Sequence, residues 1–151
     1  MKKIRNYFVL MMVALMSVAS FTSCGGNDDD DPESPAGNSK IVGTWKCTHE
    51  KFICKENGKI DEEYDRPYEG LWIWEFTADG KIIGTDGASV DTGVYTLSGN
   101  QLTITDEDGE TEVGYVKKLD SKTLEVESTF KETDNGYIHE DYSYVTFVRI
   151  K

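Results

Sequence analysis

The side chains that could do chemistry are few in this chain, which has two histidines and three cysteines. Cys47 and His49 are two positions apart, so a β-strand would place both on one face, close enough to touch. A thiol beside an imidazole is the pairing that activates a cysteine nucleophile. Two inward side chains on a strand need no function, however, and the chain has no Gly-x-Ser-x-Gly motif. The sequence therefore predicts no catalytic residue and no enzyme activity.

Metal binding has two candidate segments. His139, Glu140 and Asp141 are of types that bind metal ions, but successive strand residues alternate faces and cannot all converge on one ion. The acidic run from Asp106 to Glu110 has the composition of a calcium loop. It lacks the regular ligand spacing of an EF-hand and falls where a hairpin turn is expected. We therefore expect no metal site and no cofactor.

Cys47 and Cys54 could be free or joined by a disulfide. A straight strand of seven residues would separate their Cα atoms by about 23 Å, whereas a disulfide spans roughly 4.4–6.8 Å. The nearest turn signal, Asn57-Gly58, follows both cysteines, so no hairpin brings them together. The spacing favours two buried free thiols, with a bridge as the alternative.

The elements that must position these residues are β-strands. Turn pairs such as Asn57-Gly58, Asp79-Gly80 and Asn135-Gly136 recur along the chain, and they tolerate the positive φ that tight hairpins require. The segments between them are rich in β-branched and aromatic residues. This pattern predicts an all-β domain of about eight antiparallel strands in up-and-down order. Such a set most simply closes into a small barrel, which removes its free edges.

Alternation along the strands predicts which side chains line the interior. The predicted inward set, which would also line any ligand pocket, is Trp72, Trp74, Phe76, Tyr95, Leu97, Leu102, Ile104, Leu124, Val126 and Phe130. The first strand breaks this alternation, because Trp45, Cys47 and His49 share one face while Phe52 and Cys54 share the other. A β-bulge near 50–51 would return Phe52 and Cys54 to the interior.

The N-terminus has the layout of a secretory signal. Basic residues within the first five positions precede an apolar run over 7–19, which is short of the roughly 20 residues of a membrane-spanning helix. Small residues then precede Cys24, an arrangement that resembles a bacterial lipoprotein signal. That resemblance implies removal of residues 1–23 and attachment of acyl chains such as palmitate to Cys24. The protein would then be anchored in a membrane.

Residues 24–39 follow as an acidic stretch that includes four consecutive aspartates. It has no large apolar side chain to bury, so we expect a solvated flexible tether ahead of a barrel domain over 40–151. Acidic residues just after the lipidated cysteine resemble the surface-export signal of Bacteroidetes lipoproteins. The expected location is therefore the outer membrane, exposed at the cell surface, with a periplasm-facing domain as the alternative.

Charge excludes one class of partner. The chain has 28 acidic and 16 basic residues, a net charge of −12. Such a surface repels nucleic-acid phosphates. We expect no nucleic-acid binding.

Gly43-Thr44-Trp45 at the start of the predicted barrel resembles the Gly-x-Trp opening of lipocalins. The later segments WEFTADGKI, GVYTLSGNQLTI, KTLEVES and YVTFVRIK extend the resemblance over 40–151, to the short lipocalin-like (calycin-like) domains of Bacteroidetes lipoproteins. The resemblance implies that Trp45 closes one barrel end and packs against a basic residue of the last strand, here Arg149. It also implies binding of a small hydrophobic ligand.

Two functions stay open on the sequence. An eight-stranded barrel is just wide enough either to be filled by side chains or to hold one small ligand. With a pocket, the protein is a carrier of a small hydrophobic molecule. With a filled interior, it is a surface-displayed module that binds a protein or glycan, including as an inhibitor.

Overall fold

The structure, a computed structural model, describes residues 39–151. The predicted signal peptide, the lipidated Cys24 and the tether as far as residue 38 lie outside the described residues. The described part of the chain contains nine strands: β1 Gly43–Glu56, β2 Lys59–Pro67, β3 Trp72–Phe76, β4 Lys81–Asp86, β5 Ser89–Ser98, β6 Gln101–Asp106, β7 Thr111–Leu119, β8 Thr123–Asp134 and β9 Tyr137–Arg149. It has no helix long and apolar enough to cross a membrane.

Eight of these strands close into an antiparallel barrel, as the sequence predicts. Neighbours pair in chain order from β3 to β9, and β1 closes the ring by pairing with β9 on one side and β3 on the other. The predicted sequential order fails at β2, which pairs with β1 alone among the described strands. The reason is the length of β1: Gly43 to Lys46 pair with β3, and His49 to Glu56 pair with β2.

Four strands continue past the barrel as a sheet that we call the projecting sheet, comprising residues 49–67 and 128–143. β8 has no partner in β7 beyond Glu127, whereas its pairing with β9 continues to Asp134. The two hairpins of this sheet turn at Asn57-Gly58 and Asn135-Gly136, and all four turn residues have positive φ. Both turns are those that the sequence indicates.

The bulge in β1 lies earlier than the sequence predicts. Cys47 pairs with Phe147 and His49 with Thr146, so the extra residue is Thr48 and not one near 50–51. As predicted, Cys54 is buried and Phe52 is half-buried. The predicted inward position of His49 is wrong, because the bulge precedes it and turns it to the outer face.

The core lies at the barrel end where β1 begins. Trp74 and Phe147 stack with ring centroids 4.5 Å apart, and Phe76 meets Tyr95 edge-on at 4.8 Å. Such aromatic pairs stabilise beyond the area that they bury. The fully buried members of the core are Ile41, Trp45, Cys47, Phe76, Leu102, Leu124 and Phe147.

We expect Phe147→Ala to lower the free energy of unfolding by about 3–5 kcal/mol, because it leaves a ring-sized cavity against Trp74. Urea denaturation of the full-length chain in detergent measures the change. The control is Val90→Ala, at a side chain that is 62% exposed, and its effect should stay within about 0.5 kcal/mol. Equal effects of the two substitutions would contradict this account of the core.

Candidate functional site

The barrel end where β1 begins and β9 ends, the closed end, is sealed by Trp45 and Arg149. The Trp45 ring is fully buried, and its Nε1 donates a hydrogen bond to the Ile41 carbonyl at 2.7 Å. The Arg149 guanidinium lies 4.0 Å from the centroid of that ring. It also donates hydrogen bonds to the carbonyls of Val42 and Ser121 at 2.6 and 3.1 Å. The guanidinium therefore connects the segment before β1 and the turn between β7 and β8 to the Trp45 ring.

Gly43 makes room for this arrangement. Its φ is +140°, and a Cβ there would lie 2.1 Å from Nη1 of Arg149 and 2.6 Å from the Lys151 carbonyl oxygen. A side chain would therefore displace the guanidinium from the Trp45 ring. The glycine and the tryptophan of the motif thus serve the same contact.

Nine of the ten predicted lining residues meet in one cluster. Six are buried in it: Trp74, Phe76, Tyr95, Leu102, Leu124 and Val126. Three more, Trp72, Leu97 and Ile104, are half-buried and pack against it. Phe130 lies apart, on the projecting sheet, with its ring centroid 6.4 Å from that of His139.

The rings and aliphatic side chains fill the closed half of the barrel. A Cβ on Gly114 would lie 2.8 Å from Cγ1 of Val126, so the wall at that level has no space for even a methyl group. The Tyr95 hydroxyl donates a hydrogen bond to the Thr77 carbonyl at 2.9 Å. Of the two alternatives for the interior, packing by side chains describes this half.

The opposite end of the barrel, which we call the open end, has a different lining, along the inner face of the projecting sheet. Phe52 and Tyr64 stack there with centroids 5.5 Å apart. Arg66 lies 4.4 Å over the Tyr64 ring and forms an ion pair of 2.8 Å with Glu50. Burial, with the charge of Glu50, raises the pKa of Tyr64 to about 12. Local sequence patterns do not reveal Glu50, Tyr64 and Arg66, because the two irregularities in the pairing of β1 decide that these side chains face inward.

The predicted contact between the Cys47 thiol and the His49 imidazole does not form. Cys47 is fully buried, whereas the His49 imidazole is on the outer face, with Nε2 2.7 Å from Oδ1 of Asp65. Burial raises the pKa of the Cys47 thiol to about 12. The thiol is thus protonated at neutral pH and has no imidazole beside it to act as a base.

Cys47 and Cys54 are both free and buried, which is the arrangement that the spacing favours. Burial, reinforced by the Asp141 carboxylate, raises the pKa of Cys54 to about 12. Cys54 pairs directly with Asp141, and the two side chains therefore share the inner face of the projecting sheet.

A depression of about 390 Å³ lies on the outer side of β4, β5 and β6. Its lining includes Ile83 and Val94, and Val94 is 54% exposed. Val94 precedes the buried Tyr95 in β5, so the two side chains are on opposite faces. This depression is therefore separate from the packed interior.

Comparison with known proteins gives a family for this barrel. A family model described as a lipocalin-like domain matches residues 41–126. No curated protein matches the chain. Among solved structures, an uncharacterized protein from Bacteroides eggerthii is similar, with 14% identity, a TM-score of 0.45 and coverage of 72% of this chain and 98% of that one. Apocrustacyanin C2 is similar with 16% identity, a TM-score of 0.43 and coverage of 78% and 64% respectively.

We expect Gly43→Ala to destabilise the protein by about 1–3 kcal/mol more than Gly58→Ala, as measured by urea denaturation. Both glycines have positive φ, but a Cβ on Gly58 meets nothing within 4 Å. The difference therefore measures the collision with Arg149 and the Lys151 carbonyl, together with the different backbone strain at φ +140° and +77°. Equal destabilisation by the two substitutions would show that the guanidinium does not need this space.

Proposed function

The chain belongs to the family of lipocalin-like domains, and we propose that it binds a small hydrophobic molecule at the open end of its barrel. The lipocalin-like barrel is in general a ligand-binding fold. Since side chains fill the closed half, the ligand lies between the packed cluster and the inner face of the projecting sheet.

The observation that carries the proposal is the half-buried aromatic surface at that boundary. Trp72 packs on the core through Phe147 at 5.3 Å and meets Tyr68 at 5.7 Å, yet it remains half-buried. Phe52 and Phe130 are also half-buried, on the sheet that faces the open end. When a ligand covers partly exposed rings, the burial contributes about 25 cal/mol to binding for each Å² of apolar surface removed from water.

Two features restrict the ligand. The filled closed half leaves no room for a long chain to run down the barrel axis. The net charge of −12 disfavours anions. The proposal therefore favours a compact, neutral or cationic molecule with a flat apolar face.

N-phenyl-1-naphthylamine, a neutral aromatic probe whose fluorescence rises in apolar surroundings, tests the proposal. We expect saturable binding to the full-length chain, and about tenfold weaker binding after Phe130→Ala, since each ring contributes roughly 1–2 kcal/mol. Phe130 lies outside the core cluster, so this variant should stay folded. Val94→Lys, on the outer face, is the matched control and should leave the dissociation constant unchanged.

The absence of saturable binding would overturn the proposal. Loss of binding in Val94→Lys, with Phe130→Ala unaffected, would move the site to the outer depression.

We further propose that the barrel is held at the cell envelope by acyl chains on Cys24 and is displayed on the outer membrane. The supporting features are the signal-like residues 1–23, Cys24 itself and the acidic stretch after it. Several acyl chains, each contributing about 0.8 kcal/mol per buried CH₂, anchor a protein stably.

Radiolabelled palmitate should mark the wild-type protein in its bacterial host, and Cys24→Ser should abolish the label, because that thiol is the acylation site. Cys47→Ser should keep it. An unlabelled wild-type protein would overturn the anchor.

Cleavage by protease added to intact cells supports surface display, and complete protection would assign the periplasmic face instead.

A second candidate function is a surface module that binds a protein or glycan. The outer depression favours it, because exposed Val94 gives this concave surface an apolar border. Val94→Lys separates the two candidates: loss of partner capture with unchanged probe binding supports the surface module.

A further inference from the structure

Three metal-ligand side chains converge on the inner face of the projecting sheet. Cys54 in β1 pairs with Asp141 in β9, and His139 lies two residues before Asp141 on the same face. One ligand atom from each, a thiol sulfur, a ring nitrogen and a carboxylate oxygen, lies within 4.8 Å of the other two. Glu140 points to the other face, where it pairs with Lys131 at 2.7 Å.

The cluster is largely withdrawn from water. Cys54 is buried, and the side chains of His139 and Asp141 are 19% and 15% exposed. Nε2 of His139 lies 3.0 Å from Oδ2 of Asp141. The other oxygen, Oδ1, is buried without a partner in hydrogen-bonding geometry, although the Cys54 thiol interacts with the same carboxylate. A buried acceptor left unpaired costs about 1–3 kcal/mol, and a bound cation would satisfy it.

We propose that Cys54, His139 and Asp141 bind one Zn²⁺ ion, with water as a further ligand, and that the Cys54 thiol releases its proton to solvent as its sulfur binds the ion. Zinc accepts sulfur, nitrogen and oxygen ligands together, and sites with three protein ligands and a water are common. Calcium and magnesium prefer oxygen ligands only, so this set selects against them. At metal–ligand distances of about 2.0–2.3 Å, tetrahedral ligand atoms lie roughly 3.5 Å apart. Small side-chain rotations close the remaining distance.

The surroundings favour a cation. The acidic side chains of Glu56 and Asp61 act on Cys54 electrostatically, and Glu56 pairs with His139 across the sheet. The Phe130 ring borders the imidazole on one side. Both partly exposed ligands belong to the projecting sheet, so the ion can enter from solvent without opening the barrel core.

The other histidine provides an internal comparison. His49 also contacts an aspartate, at 2.7 Å from Asp65, but these side chains are 40% and 53% exposed. Lys51 lies 3.4 Å from the same carboxylate and already neutralises it. The His49 pair therefore lacks both the thiol and the unpaired buried oxygen that distinguish the zinc site.

Neighbours in the chain alone predict no metal site here. Alternation along β9 separates Glu140 from His139 and Asp141, but the third ligand comes from β1, and only the pairing of β1 with β9 brings it close.

The test uses the full-length chain in detergent under reducing conditions, titrated with Zn²⁺ by calorimetry and with Co²⁺ by absorption spectroscopy. We expect one ion per chain, and a near-ultraviolet thiolate-to-Co²⁺ charge-transfer band that Cys54→Ser removes. His139→Gln and Asp141→Asn should each weaken Zn²⁺ binding at least about tenfold. His49→Gln, the matched control, should bind like the wild type.

Zn²⁺ binding that is equal in His139→Gln and the wild type would overturn the proposal. So would Co²⁺ binding without a charge-transfer band, because ions held by the acidic residues of 24–39 would give that result. Near-ultraviolet circular dichroism checks that each variant folds. If Cys54→Ser does not fold, His139→Gln and its conservative partner His139→Asn decide the outcome, since that side chain is less deeply buried.

Discussion

The single extra residue at Thr48 determines which side chains face inward in the second half of β1, from His49 to Glu56. Before it, Trp45 and Cys47 belong to the core; after it, Glu50, Phe52 and Cys54 face the interior. If Thr48 instead took a regular place in the ladder, the side chains after it would turn to the opposite face, because side chains in a strand alternate with a period of two. The aromatic lining of the open end and the thiol of the zinc site therefore both depend on one backbone irregularity.

The two ends of the barrel have divided roles. At the closed end, the fully buried Trp45 and the guanidinium of Arg149 are fixed by backbone carbonyls, and Gly43 provides the space. At the open end, β1, β8 and β9, with 14, 12 and 13 residues, extend beyond the paired parts of β3 and β7, and β2 pairs with this extension of β1. The packing that stabilises the fold is concentrated at the closed end. The candidate binding residues lie at the open end, where the projecting sheet continues beyond β3 and β7.

The sequence predicts local features of this fold well and non-local ones poorly. Asn-Gly and Asp-Gly pairs mark the turns, and alternation places Trp74, Phe76 and Tyr95 inward, because both depend on adjacent residues. The position of β2 depends on how β1 divides its edge between two partners, which no local pattern records. A second irregularity, between Cys54 and Lys55, likewise sets Tyr64 opposite Phe52. A regular hairpin from the Asn57-Gly58 turn would place Glu63 there instead.

Among the strands of residues 39–151, β2 pairs with β1 alone, so one edge of the sheet presents backbone donors and acceptors that no described strand pairs with. Such an edge is a template on which another chain can add a strand. Its sequence opposes such growth. Four of its nine residues are acidic, Asp61, Glu62, Glu63 and Asp65, and Pro67 ends the strand without an N–H to offer. Two copies brought edge to edge would set carboxylate against carboxylate. The same acidity that repels anionic ligands thus protects neighbouring molecules from polymerising through their β2 strands.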